Sequence, residues 1–265
     1  MIWIPYLVSL RVLSPVHIGW KKTGNLQQTH PYVTGKALWG ALTARLVRNQ
    51  GNNNYQEIGK KVDKELRFTY LYPTTDPSKV VVWPWDNSIK FSWMYLGSYA
   101  SAALKDKIAQ EGMLHETEYI SPKTRDGRQV YLVGYVIEKN GCRLAWKEAL
   151  KRIQIGGERG YGWGRVELID SPKKSDSCFN SYTFDGTRDT PRITVQKDKP
   201  ILAHALVDGL DCNGTIEPLV GRETDAHSGF GGVISKAVIC WVPGSCVKEK
   251  TTFRISYRGI LELHG

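Results

Sequence analysis

Five glycines, Gly156, Gly157, Gly160, Gly162 and Gly164, fall within nine residues and are interleaved with Arg159, Tyr161, Trp163 and Arg165. Such density strips side-chain cover from the backbone. Glycine tolerates positive φ and lets main-chain N–H groups approach a phosphate, arginines add charge-assisted bonds, and aromatic rings stack on bases. A tight helix-to-strand connection would use the same composition, and both readings stand. Neither common nucleotide motif applies, because GGERGYGWG follows a helical pattern rather than a strand and no G-K-[ST] step occurs.

Several elements must position this loop. Trp3–Val12 is rich in aromatic and β-branched residues and ends before Ser14-Pro15, so it reads as a first strand. A polar, basic loop is expected from 19 to 34. GKALWGALTARLVR then places apolar residues at helical spacing, with Thr34 as N-cap. Further strands are expected at 67–72 and 80–83, and a helix at 98–110. His115–Ile120 and 129–137 flank KTRDGR, whose Asp126-Gly127 pair predicts a hairpin with a basic tip. A short amphipathic helix at 144–153 runs into the glycine loop, and a strand at 166–169 follows.

These elements make up a first unit, residues 1–170. Residues 171–190 lose apolar periodicity and read as a linker or surface excursion. Residues 191–265 read as a smaller β-rich second domain, with strands at 201–207, 233–242 and 252–260. The fold class is α+β.

Lys and Arg total 36 against 26 acidic residues, a formal charge of +10, which suits a polyanionic partner. The first acidic residue is Glu57, and six basic residues precede it: Arg11, Lys21, Lys22, Lys36, Arg45 and Arg48. One end of the fold is therefore expected to be strongly positive. The five cysteines have no C-x-x-C spacing, so neither a disulfide framework nor a zinc knuckle is indicated. No apolar run reaches the length of a membrane span and no signal-peptide pattern opens the chain, so a cytoplasmic protein is expected, without membrane partner, metal or other cofactor.

Other sets carry less chemistry. Strand alternation separates His115 from Glu116, which argues against a metal site there. His17, in an apolar VHI context, reads as a half-buried structural ring. His227, with Arg222, Glu223 and Asp225, lies in a second glycine-containing loop that suits RNA, a neighbouring subunit or plain solvent. Trp83-Pro84-Trp85 reads as a core edge or protein interface.

IGGERGYGWGRVEL resembles the glycine-rich loop that ends the first ferredoxin-like domain of the RAMP (repeat-associated mysterious protein) superfamily. LSPVHIG and YVTGKALWGAL resemble that family's first strand end and first helix, and the three motifs stand in the family's order within residues 1–170. The resemblance implies a ferredoxin-like (RRM-like) fold in which the glycine loop and first helix lie beside guide RNA. Leu38-Trp39-Gly40-Ala41-Leu42 is most similar to the type III subunit that caps the 5′ end of the guide and docks the large signalling subunit. Implied partners are CRISPR guide RNA, target RNA through the complex, and other effector subunits. The RNA-binding residues expected on this basis are Lys21, Lys22, Lys36, Arg45 and the loop from Gly156 to Arg165, the two segments meeting as one surface. The family's slicing subunits carry an aspartate after the first strand, and residues 14–56 here hold no Asp or Glu. A different branch consists of metal-independent endoribonucleases that process precursor guide RNA. Its chemistry needs a base for a 2′-hydroxyl and a cation for the developing charge, which His30, Tyr32 and Lys36 would supply.

Overall fold

The computed structural model describes residues 2–51, 54–78, 88–102, 104–105, 108–109, 111–179, 182–225 and 229–264. The expected strand at 80–83, Trp83-Pro84-Trp85 and His227 lie outside the described residues.

The first strand, β1 (Trp3–Val12), pairs antiparallel with Tyr131–Lys139 along its length, from Trp3 opposite Lys139 to Arg11 opposite Tyr131. Val166–Leu168 adds to the free side of β1, and Leu66–Phe68 and Tyr72–Thr74 add to the far side of Tyr131–Lys139. In chain order the spatial sequence is fourth, first, third, second, all antiparallel, with a helical segment in each crossover. This strand order is consistent with the ferredoxin-like arrangement that the resemblance implies.

Period-two alternation divides the sheet between two cores. Val8, Leu10, Val12, Leu132 and Val136 face α1 (Gly35–Gln50), α2 (Tyr55–Glu65) and the helix Trp146–Leu150, where Leu38, Leu42, Leu46 and Trp146 complete a first core. Thr34 caps α1 as expected, its hydroxyl accepting from the Ala37 N–H at 3.2 Å. Trp3, Leu7, Tyr135 and Ile137 face the other way, onto Phe179, Ile193, Phe253 and Ile255. That second face is covered by a seven-stranded sheet built from residues 183–263, so the open sheet face on which an RRM stacks bases is buried here.

Some local expectations give way to tertiary pairing. Residues 19–34 are not one loop: Gly19–Thr23 and Leu26–Thr29 form a hairpin, turned at Gly24 with φ 56°. Leu96–Ser101, which overlaps the expected helix at 98–110, is a strand paired along its length with His115–Ile120. Ala and Leu content favoured a helix, and cross-strand pairing overrode it. His115–Ile120 and Tyr131–Lys139 do not pair with each other; a bridge between Lys123 and Gln129 closes the KTRDGR turn. Within 171–190, Lys173–Lys174 pairs with β1, Thr183–Asp185 edges the second sheet, and Cys178, Phe179 and Tyr182 are buried. Among the described residues no helix is long and apolar enough to cross a membrane.

Candidate nucleic-acid interface

The glycine loop is folded back on the residues that follow β1. Pro15 O accepts from Gly164 N–H at 2.7 Å, and His17 O accepts from Gly157 N–H at 2.9 Å. Ser14 Oγ donates to Gly162 O at 3.0 Å and accepts from Arg165 N–H at 2.9 Å. Two glycines are required by this closeness. Gly156 has φ 88° and a Cβ there would lie 2.3 Å from His17 O; Gly164 has φ 79° and a Cβ would lie 2.1 Å from Ile155 O. Part of the glycine content therefore makes the tight connection that was one of the two sequence readings.

The rest of the loop faces outward. Gly160 has open space around it, Tyr161 is 76% exposed, and Arg165 is exposed. Arg159 is half-buried, its Nε donating to Gly156 O at 3.0 Å. Burial and the neighbouring Arg48 both lower its pKa from the ordinary guanidinium value, and the nearby Tyr55 opposes them. Trp163 is not free to stack: its ring packs edge-on against Tyr119 at 5.1 Å and Tyr99 at 6.4 Å. Tyr161 is thus the loop's available aromatic face.

The N-terminal cations divide. Lys22 is exposed on the hairpin. Lys21 turns towards the second sheet, lying over the Trp20 ring at 4.0 Å with Nζ 3.7 Å from Glu217. Lys36, on the first turn of α1, packs against Gly221, where an added Cβ would meet its Nζ at 2.7 Å. Arg45 is half-buried on α1, its Nε without a hydrogen-bond partner among the described residues. The structure therefore brings residues 14–17 and the glycine loop together. Lys21 and Lys36 are drawn instead to the strand Ile216–Leu219 and the residues after it, where Glu217 supplies Lys21 with a carboxylate.

His30 and Tyr32 are in the interior. His30 is 6% exposed, its ring stacked on Tyr32 at 5.3 Å and packed against Trp20 and His204. Burial, with the nearby His204, pushes its pKa down to about 3, so the imidazole is a weak base. Burial holds the Tyr32 phenol well above its ordinary value, so it keeps its proton. The Lys36 ammonium lies against Gly221. The trio expected for the endoribonuclease branch is thus not assembled as an exposed base and cation. His17 is structural, 7% exposed with Nδ1 2.7 Å from Glu118 O.

Sequence reasoning missed the network beneath His30. His204 lies between the Tyr70 hydroxyl, 2.7 Å from Nδ1, and Glu217, 2.8 Å from Nε2. The Trp20 indole N–H donates to the other Glu217 oxygen at 2.8 Å. Trp20, His30 and Tyr32 also wall a cleft of about 800 Å³ between the hairpin and the second sheet, closed opposite by Lys199, Pro243 and Ser245. Nothing in local spacing pointed to residues so far apart along the chain.

None of the curated proteins matches the chain. In fold it is similar to a chain in the cryo-EM structure of the Type III-B Cmr-beta bound to cognate target RNA and AMPPnP, state 1. That likeness has a TM-score of 0.50 and 15% identity, and covers 91% of this chain and 86% of that one. A chain of the Type III-B Cmr-beta bound to cognate target RNA is similar at TM-score 0.48 and 13% identity, with the same coverages. The profile of the RAMP superfamily matches residues 9–167, from within β1 to the strand that follows the glycine loop. By that match over more than half of its length, the chain belongs to the RAMP superfamily.

Proposed function

We propose that the chain is a non-catalytic RNA-binding subunit of a type III RNA-guided effector complex, gripping guide RNA while its other surfaces dock neighbouring subunits. Residues 1–170 act in this reading as the RNA-gripping domain and residues 191–265 as a β-rich second domain. The observation that carries it is the glycine loop: its inner edge is locked to Ser14–His17 while Gly160, Tyr161 and Arg165 face outward beside Arg159 and Arg48. Bare backbone, a few cations and one exposed ring are the parts a single strand requires. Family membership and the fold shared with a Cmr-beta chain support the same reading. The buried, weakly basic His30 speaks against the endoribonuclease branch.

The test is guide-RNA binding by the full chain across a salt series. Arg165→Ala should weaken binding and flatten the log K against log salt plot by about 0.7, the contribution of one phosphate contact to a single strand. Wild-type affinity and salt slope in this variant, with the fold retained, would overturn the assignment.

A further inference from the structure

A second basic hollow opens at the other end of β1, the full ten-residue length of the strand away from the glycine loop. This hollow, of about 450 Å³, is walled by Lys60 and Lys64 of α2 with Arg67, Lys139, Trp3 and Tyr257. A smaller one of about 240 Å³ shares Lys60 and Asp63 with it and adds Trp39, Tyr55 and Arg258. Together they hold five cationic side chains against two carboxylates, Asp63 and Asp189.

Arg67 gives the hollow its character. It is 6% exposed, and its guanidinium lies between two rings, 4.9 Å from Trp3 and 4.4 Å from Tyr257. One amino group donates to the carbonyls of Asp63 and Leu66, and its Nε is buried without a hydrogen-bond partner among the described residues. Among those residues no carboxylate forms a direct ion pair with it; Asp63, 3.7 Å from Arg258, and Glu262 act on it from farther away, and Tyr257 hydrogen-bonds it. Lys60 and Lys64, one turn apart on α2, are exposed, and neither has an ion-pair partner among the described residues. A buried cation whose carboxylates stand outside direct contact, flanked by two solvated lysines, leaves this hollow net positive and suited to an anion.

The aromatic rings separate nucleic acid from other anions. Tyr257 is 56% exposed with one face on Arg67, and Arg258 lies over Trp39 at 4.2 Å, so rings and cations alternate along the groove. The two hollows run into each other through Lys60 and Asp63, which line both. From these contacts we infer that the groove from Tyr55 past Arg258 to Lys60, Lys64, Arg67 and Tyr257 is a second binding site for single-stranded RNA, separate from the glycine loop. The inference rests on the proposed RNA-binding function. Phosphates sit on Lys60 and Lys64 with Arg67 behind them, and a base stacks on the exposed part of Tyr257.

The full chain is titrated with a uridine oligonucleotide of about 20 nucleotides, long enough for both sites, over a salt series. Lys60→Ala with Lys64→Ala should lower the salt slope by about 1.4, two phosphates at about 0.7 each, and arginine at both positions should restore it. Tyr257→Ala should weaken binding roughly tenfold at an unchanged slope, with Tyr257→Phe close to wild type, since a ring and not a hydroxyl is needed. If the lysine pair leaves the slope unchanged while Arg165→Ala lowers it, the groove is not an RNA site and the glycine-loop reading survives. If neither variant changes it, both fail. If the lysine pair leaves RNA binding intact and abolishes binding of a poly-glutamate peptide, the groove docks an acidic protein segment and the RNA site is refuted.

Discussion

His204, with no exposed surface, has its Nε2 2.8 Å from Glu217 Oε1, and this pair joins the second sheet to both Tyr70 beneath it and Trp20 of the hairpin. Burial pushes the Glu217 pKa up, but hydrogen bonds from His204 and Trp20, with the electrostatic attraction of His204 and His30, outweigh it and hold the carboxyl below its ordinary value. A carboxylate kept charged in the interior is stable only while its partners remain. Glu217→Ala should therefore destabilise the fold by about 3 to 5 kcal/mol, leaving His204 and Trp20 without their acceptor. Glu217→Gln, which retains one acceptor, should cost less. Urea unfolding of wild type and both variants measures the cost, and a Glu217→Ala midpoint equal to that of wild type would show that the pair adds nothing.

His30 makes stability depend on pH. The unfolded imidazole takes a proton near 6.5 and the folded one only at about 3, so between these values the unfolded state binds more protons and stability falls as pH falls. From pH 7 to pH 5 the loss is about 2 kcal/mol. Loss of the Glu217 charge adds to it only below the ordinary carboxylate range. His30→Phe should remove most of the dependence between pH 7 and 5 while keeping the stack on Tyr32. Unfolding midpoints of wild type and variant at the two pH values test this, and parallel pH profiles would sink it.

What could be read from the sequence was what is local. The strand Trp3–Val12, read from its aromatic and β-branched content, the Thr34 cap and the tight helix-to-strand connection at the glycines all appear in the structure because each depends on residues a few positions apart. The strand Leu96–Ser101 was hidden because its pairing with His115–Ile120 outweighs the helical preference of its alanine and leucine. The partner of Lys21 is not legible in the sequence: most of the chain separates it from Glu217, and only the fold brings them to 3.7 Å. Arg67 looked like an ordinary strand residue. Its place between Trp3 and Tyr257 is set by three segments that share no sequence motif.

Within the glycine loop, position decides the effect of a methyl group. At Gly164 the backbone has φ 79° and an added Cβ would lie 2.1 Å from Ile155 O. Gly164→Ala should therefore cost about 3 kcal/mol or more, enough to lower the melting temperature markedly. Gly160 has neither a positive φ nor a neighbour within 4 Å of an added Cβ. Gly160→Ala should accordingly change stability by no more than about 0.5 kcal/mol. Under the proposed function the same change should still weaken RNA binding, because it intrudes where backbone meets phosphate. Thermal unfolding and RNA titration of both variants separate the structural glycine from the functional one. A Gly160→Ala protein that binds RNA like wild type would place the contact elsewhere on the loop.

Adjacent lysines on the hairpin should likewise behave differently. Lys21 lies over Trp20 and near Glu217, so its charge is already partly balanced by the protein and its stem packed on a ring. Lys22 follows it on the exposed hairpin, opposite Gln27, with no ion-pair partner among the described residues. A phosphate approaching the hairpin releases counterions through Lys22 and gains little from Lys21, since neutralising an already paired cation changes few counterions. Lys22→Ala should lower the salt slope of RNA binding by about 0.7, and Lys21→Ala should leave it within error while slightly loosening the contact between hairpin and second sheet. Fluorescence anisotropy with labelled RNA over a salt series resolves a difference of that size. The reverse ranking, with Lys21 carrying the slope, would mean that RNA displaces Glu217 from Lys21 on binding, and the cation–π contact on Trp20 would then have to break as well.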